Sequence, residues 1–62
     1  MITAKRLRKI RDAHGLSQAE LGRLIGRDGS TVSRLEGRSD VLPEYVEVLL
    51  VGAGLINRAK ER

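Results

Sequence analysis

Residues 18–35 constrain the fold most, because they place small and apolar residues at the spacing of two short helices that cross closely. Gly22 lies where the two helices would touch, and Gly26 lies where a tight turn requires positive φ. Asp28 is well suited to cap the start of the second helix. A shared apolar seam is formed by Leu21, Ile25, Val32 and Leu35. The pattern predicts a helix-turn-helix over residues 17–36.

Capping signals place the helix that precedes this unit and the first helix within it. Thr3 is suited to cap an N-terminal helix, and Gly15 is suited to end it. Ser17 and Glu20 have the spacing of a capping box at the start of the second helix. The third helix is expected over residues 29–36. Together these signals predict an all-α protein.

A nearly continuous apolar run follows at residues 45–51, and its secondary structure is ambiguous from the sequence. Its valines are typical of a strand, whereas Pro43 and Glu44 before it favour a fourth helix that begins at Pro43. A single helix cannot direct all of these side chains into the core of one subunit, so we expect residues 43–62 to contain a dimerisation segment. The predicted interface residues are Val46, Leu49, Leu50, Val51 and Leu55.

The size and composition of the chain limit how it can be stabilised and what it can do. Its 62 residues suffice for a single domain over residues 1–62. A domain of this size buries only about 60% of its unfolded surface. The sequence has no cysteine and one histidine, so we expect no disulfide, no metal, no cofactor and no enzymatic site. A second subunit is the remaining common source of stability.

Neither a signal peptide nor a membrane span is expected, because no apolar segment approaches the length of about 20 residues that a span requires. We therefore expect a cytoplasmic protein that binds neither a membrane nor a small-molecule ligand.

Positive charge is concentrated in the half of the chain that contains the predicted helix-turn-helix. Residues 1–38 carry nine Lys or Arg and four Asp or Glu, a net charge of +5, whereas residues 39–62 carry three and four, a net charge of −1. Such a bias is typical of a surface that binds a polyanion, although it also occurs in small helical proteins that are merely kept soluble by charge.

In this pattern of residues the sequence resembles the Cro/C1-type (XRE-like) helix-turn-helix regulators of phages and bacteria. The resemblance covers about residues 5–50. It is carried by Leu7, Ile10 and Arg11, by the segment from Leu16 to Leu21, by Gly26, by the segment from Ser30 to Glu36 and by Pro43. It implies a compact bundle of four or five helices, the lambda-repressor-like DNA-binding domain. It also implies binding to operator DNA as a homodimer.

The resemblance and the helical geometry assign roles to individual residues. The side chains of the third helix that face away from Val32 and Leu35 would lie in the major groove. The predicted base-reading residues are Arg34, Ser30, Ser33 and Gly29, with Arg34 the best match to the two acceptors of guanine. The predicted phosphate contacts are Gln18, Thr31, Arg27, Arg38, Lys5, Arg6 and Lys9. Each of these polar residues can also be an ordinary solvated side chain.

Three further expectations come from comparing the chain with the family pattern. Arg11 and Glu36 occupy positions that form a buried ion pair in some relatives, so their role is structural. Gly22 replaces the usual alanine, a change expected to be harmless. Arg27 replaces a usually apolar turn residue, which predicts a more exposed turn.

The function expected from the sequence is therefore a sequence-specific regulator of transcription. It would bind an inverted-repeat operator in double-stranded DNA as a homodimer, repress its own promoter and be encoded by a bacterium or phage and associated with the nucleoid. The alternative is an antitoxin or another protein-binding module, in which residues 45–55 dock on a different protein. RNA binding is disfavoured because Tyr45 is the only aromatic residue available for base stacking.

Overall fold

A computed structural model describes residues 1–56 and shows an all-helical domain. Its four helices are α1 (Ala4–Ala13), α2 (Gln18–Leu24), α3 (Gly29–Glu36) and α4 (Glu44–Gly52). The all-α fold and the helix-turn-helix formed by α2 and α3 are confirmed. The end of the predicted dimerisation segment, residues 57–62, lies outside the described residues.

The predicted caps begin the first three helices. The Thr3 side chain caps α1. At the start of α2, the Glu20 backbone N–H donates to the Ser17 hydroxyl at 3.0 Å, and the Ser17 N–H donates to the Glu20 carboxylate at 2.8 Å. At the start of α3, the Asp28 carboxylate accepts the Thr31 N–H at 2.8 Å. Local sequence therefore fixes where α1, α2 and α3 start.

The turn between α2 and α3 depends on one glycine in the left-handed region. Gly26 has a φ of +73°, and its N–H donates to the carbonyl of Arg23. The Arg27 N–H reaches back to the carbonyl of Gly22 at 2.7 Å, which completes a Schellman motif. The turn thereby satisfies the last carbonyls of α2 and redirects the chain into α3.

Gly22 lies at the closest approach of α2 to the start of α3. A Cβ atom built on Gly22 would lie 2.4 Å from the carbonyl carbon of Asp28 and 2.6 Å from its carbonyl oxygen. Both are backbone atoms, so no side-chain rotation can relieve the clash. The expectation that glycine instead of alanine is a harmless change is therefore wrong for this chain.

The core is a single cluster to which all four helices and two loop segments contribute. Among residues 1–56, five side chains with essentially no exposed surface form its centre: Leu7, Leu21, Val32, Val46 and Leu50. The remaining buried apolar residues surround them: Ile2, Ala4, Ile10, Ile25, Leu35 and Leu42. The predicted apolar seam of the helix-turn-helix is therefore part of a larger core that α4 completes.

Residues 45–51 form a helix rather than a strand, and this corrects part of the predicted dimer interface. Val46 and Leu50 are fully buried within the chain's own core and are therefore reassigned from the interface to that core. They are four residues apart and so share one side of α4. Leu49 and Leu55 are partly buried against the same core. Pro43 has an extended ψ of 150° and precedes the helix instead of opening it.

The loop between α3 and α4 is tied to the N-terminus of the chain, which the sequence did not reveal. Thr3 and Val41 form an isolated antiparallel bridge, and the Leu42 N–H donates to the carbonyl of Ile2 at 2.8 Å. The Met1 ammonium lies 3.4 Å from the carboxylate of Glu47. These contacts hold the loop and α4 against the start of α1.

Replacing Gly22 with alanine should destabilise the protein, because the added methyl group forces the backbones of α2 and α3 apart. We expect Gly22→Ala to lower the free energy of unfolding in urea by about 1–3 kcal/mol. Gly52→Ala is the matched control, since a Cβ there meets nothing within 4 Å. That change should be neutral or stabilise by up to about 1 kcal/mol. Equal effects of the two substitutions would contradict the close approach at Gly22.

Candidate nucleic-acid interface

The outer face of α3 presents a short set of polar side chains to solvent. Ser30, Ser33 and Arg34 are exposed, whereas Val32 and Leu35 on the opposite side are buried. The Arg34 guanidinium makes no hydrogen bond or ion pair with any residue of the described part of the chain. Its donors are therefore available for an external acceptor.

Gly29, the fourth predicted base-reading residue, lies at the crossing of the two helices. A Cβ atom on Gly29 would lie 3.1 Å from the Cα of Ala19 and 3.2 Å from its backbone nitrogen. Gly29 therefore lets the start of α3 pack against α2. Any contribution from Gly29 to base recognition remains a prediction and has to come from its backbone.

Electrostatics favour a charged cap at the start of α3. The hydrogen bonds that Asp28 accepts from Thr31 lower the pKa of the Asp28 carboxyl below its ordinary value. Asp28 is therefore ionised at neutral pH, and its negative charge lies at the positive end of the helix dipole. Thr31, a predicted phosphate contact, is half-buried beside this cap.

Arg11 and Glu36, the residues that the family resemblance pairs, form a two-point ion pair between α1 and α3. Arg11 Nε lies 2.7 Å from Glu36 Oε2, and Arg11 Nη2 lies 3.2 Å from Glu36 Oε1. The side chains are only 13% and 7% exposed. The hydrogen bond to Glu36 is the main reason why the pKa of Arg11 is raised. Arg11 Nη1 also donates to the carbonyl of Leu16 at 2.9 Å, just before α2.

Gln18, a predicted phosphate contact at the start of α2, is held by the same carboxylate. Its Nε2 donates to Glu36 Oε1 at 3.1 Å. An amide nitrogen carries two N–H donors, so one donor remains after this bond is made. Glu36 thereby fixes the amide with its nitrogen facing the end of α3.

The remaining predicted phosphate contacts fall into two groups. Lys5, Arg6 and Lys9 line a shallow groove on α1, and their charged groups have no ion-pair partner among residues 1–56. Arg27 and Arg38 instead have partners within the chain. The Arg27 guanidinium carbon lies 5.8 Å from the centre of the Tyr45 ring. This distance is within the range of a cation–π interaction.

Arg38 is paired with Asp40 in the loop that follows α3. Arg38 Nε donates to Asp40 Oδ1 at 3.0 Å, and Nη2 donates to Oδ2 at 2.8 Å. These bonds raise the pKa of Arg38 and lower the pKa of Asp40. Sequence reasoning missed this partner and Tyr45, although Asp40 is only two residues from Arg38.

Comparison with known proteins identifies the family. The chain belongs to a helix-turn-helix domain family whose match spans residues 4–60 and includes all four helices. This agrees with the resemblance to Cro/C1-type regulators. No curated protein and no solved structure matches the chain. A helix-turn-helix domain of this family indicates a DNA-binding protein.

The described residues contain neither a cluster of metal ligands nor a membrane-spanning helix. Within residues 1–56, no three histidine or acidic side chains converge as metal ligands would. None of the four helices has the length and apolar character needed to cross a membrane.

Breaking the Arg11–Glu36 pair should destabilise the whole domain, because it leaves a guanidinium that is only 13% exposed with a single charge partner, the exposed Asp12 at 3.6 Å. We expect Glu36→Gln to lower the free energy of unfolding by about 3 kcal/mol. Asp40→Asn removes one partner of an exposed ion pair and serves as the control, with a much smaller effect expected. Chemical denaturation of both variants provides the measurement. Equal stability of Glu36→Gln and the wild type would show that the pair does not hold α1 to α3.

Proposed function

We propose that this protein is a sequence-specific regulator of transcription that represses its own promoter. It would bind an inverted-repeat operator in double-stranded DNA as a homodimer in the bacterial cytoplasm. The observation that carries the proposal is the outer face of α3. There Arg34, which makes no hydrogen bond or salt bridge among residues 1–56, lies beside the exposed Ser30 and Ser33 on a helix that packs on α2 and is tied to α1 by the Arg11–Glu36 pair.

In this proposal α3 lies in the major groove with Arg34 directed to a base edge. A guanidinium can donate two parallel hydrogen bonds to O6 and N7 of guanine, which no other base offers in that groove. Ser30 and Ser33 are shorter and would contact the neighbouring bases or phosphates. Gln18 would contact the phosphate backbone at the edge of the groove.

The basic groove on α1 would supply sequence-independent affinity. Lys5, Arg6 and Lys9 keep their charges free of ion pairs within residues 1–56, so each is available to a phosphate. Neutralised phosphates release condensed cations, so binding should weaken log-linearly with salt.

The outward side of α4 supports the dimer. Tyr45 and Val48 are exposed on this side, and Leu49 and Val51 beside them are only partly buried. Burial of this apolar stripe against a second copy would remove it from water. A two-fold axis there would present two α3 helices about 34 Å apart, one turn of duplex. The same stripe also fits the alternative of an antitoxin-like module that docks on a different protein.

Arg34→Ala should remove discrimination at one base pair of each half-site, because only this side chain reaches a guanine with two donors. The operator can be found by selecting bound duplexes from a random-sequence pool. Arg34→Ala should then bind that operator about 10- to 100-fold more weakly and tolerate every base at the lost position. Lys5→Ala should instead weaken all sequences alike and reduce the log–log salt slope by about 0.9. An equal loss of affinity for operator and scrambled DNA would identify Arg34 as a phosphate contact.

Val48→Glu should yield monomers, because it places a charge in the apolar stripe of α4 without entering the core. Leu24→Glu is the matched control, since both side chains are 52% exposed but Leu24 lies on α2. Sedimentation equilibrium should show self-association of the wild type and Leu24→Glu only. A wild type that stays monomeric, both free and on DNA, would reject the homodimer and favour a different protein as the partner.

A further inference from the structure

Arg38 lies just beyond the end of α3, the helix that contains the proposed base-reading residue. Gly37 keeps a helical backbone conformation with φ −86° and ψ −5°, and the Arg38 N–H donates to the carbonyl of Leu35 at 3.3 Å. This hydrogen bond spans three residues, so the backbone tightens as the helix ends. Arg38 therefore lies directly after the last turn of α3, at the same end of the helix as Arg34.

The ion pair between Arg38 and Asp40 lies at the surface, where another anion can reach Arg38. The side chains of Arg38 and Asp40 are 41% and 63% exposed. Two guanidinium donors of Arg38 bind the two carboxylate oxygens of Asp40. Two oxygens of a phosphate can accept the same pair of hydrogen bonds. The Arg11–Glu36 pair is different, because burial and a second helix hold it in place.

We propose that Asp40 is an intramolecular competitor for the phosphate that Arg38 binds. The inference rests on the proposed function, since it requires α3 to lie in the major groove. With Arg34 at the bases, the chain leaves the groove beside the DNA backbone just after α3 ends, so Arg38 meets a phosphate there. Arg38 then exchanges one carboxylate for one phosphate, and the freed Asp40 is hydrated.

Competition by Asp40 lowers the affinity of the protein for DNA without changing which sequence it prefers. An exposed ion pair is weak, so Asp40 reduces the contribution of Arg38 and does not block binding. A phosphate contact is made on every sequence, so the reduction applies equally to operator and non-operator DNA. Asp40 thereby sets the affinity of the protein for DNA in general.

The test measures binding to a random-sequence duplex at low salt by fluorescence anisotropy, which needs no knowledge of the operator. Asp40→Asn should bind this duplex about two- to fivefold more tightly than the wild type, as expected from the strength of a surface ion pair. Asp12→Asn is the control for the loss of one exposed carboxylate, since the Asp12 side chain is 62% exposed and lies on α1. Asp12 also lies 3.6 Å from Arg11, but Arg11 keeps its two hydrogen bonds to Glu36 in this variant. In an Arg38→Gln background, Asp40→Asn should have no more effect than Asp12→Asn has.

Each of the other outcomes overturns the inference. Weaker binding by Asp40→Asn would mean that Asp40 orients Arg38 for DNA instead of competing for it. Equal tightening by Asp40→Asn and Asp12→Asn, or an undiminished effect in the Arg38→Gln background, would reduce Asp40 to a general negative charge. A folded wild type that binds no duplex at low salt would instead reject the proposed function itself.

Discussion

The carboxylate of Glu36 is the point on which the arrangement of the first three helices depends. Glu36 ends α3, accepts two donors from Arg11 on α1 and one from Gln18 at the start of α2. Arg11 extends the same network to the carbonyl of Leu16. The proposed base-reading face of α3 depends on this network, because a helix that tilts cannot keep its donors aligned with base edges. A few directional bonds thereby tie α1, α2 and α3 together in a domain with a small core.

Short-range features were predictable from the sequence because few neighbours determine them. The caps at Ser17 and Asp28 and the turn at Gly26 depend on residues three or four positions away, so their spacing is sufficient evidence. The family resemblance supplied the pairing of Arg11 with Glu36, which no local pattern shows. The contacts of Thr3 with Val41 lie far apart in the sequence and carry no such pattern.

The errors have the same physical origin. The composition of α4 correctly indicated more apolar side chains than one face can bury, but it did not show which of them face the core. Val46 and Leu50 fill that core, and Tyr45 and Val48 remain outside. Likewise, the charges in the sequence predict a positively charged surface but do not show which cations have partners within the chain. Arg27 packs on Tyr45 and Arg38 binds Asp40, so these two charges act less freely than the count implies.

The contact of Gly22 with the backbone of Asp28 also limits how this protein can be altered or can evolve. Every other amino acid adds at least a Cβ atom, so no single substitution at Gly22 preserves the present crossing of α2 and α3. In a relative with alanine at this position, the helix equivalent to α3 must lie farther from the helix equivalent to α2, because the methyl group needs space between them. If α3 alone were replaced by the recognition helix of such a relative, its outer face would therefore lie at a different distance from the rest of the domain. Replacing α2 and α3 together would avoid this.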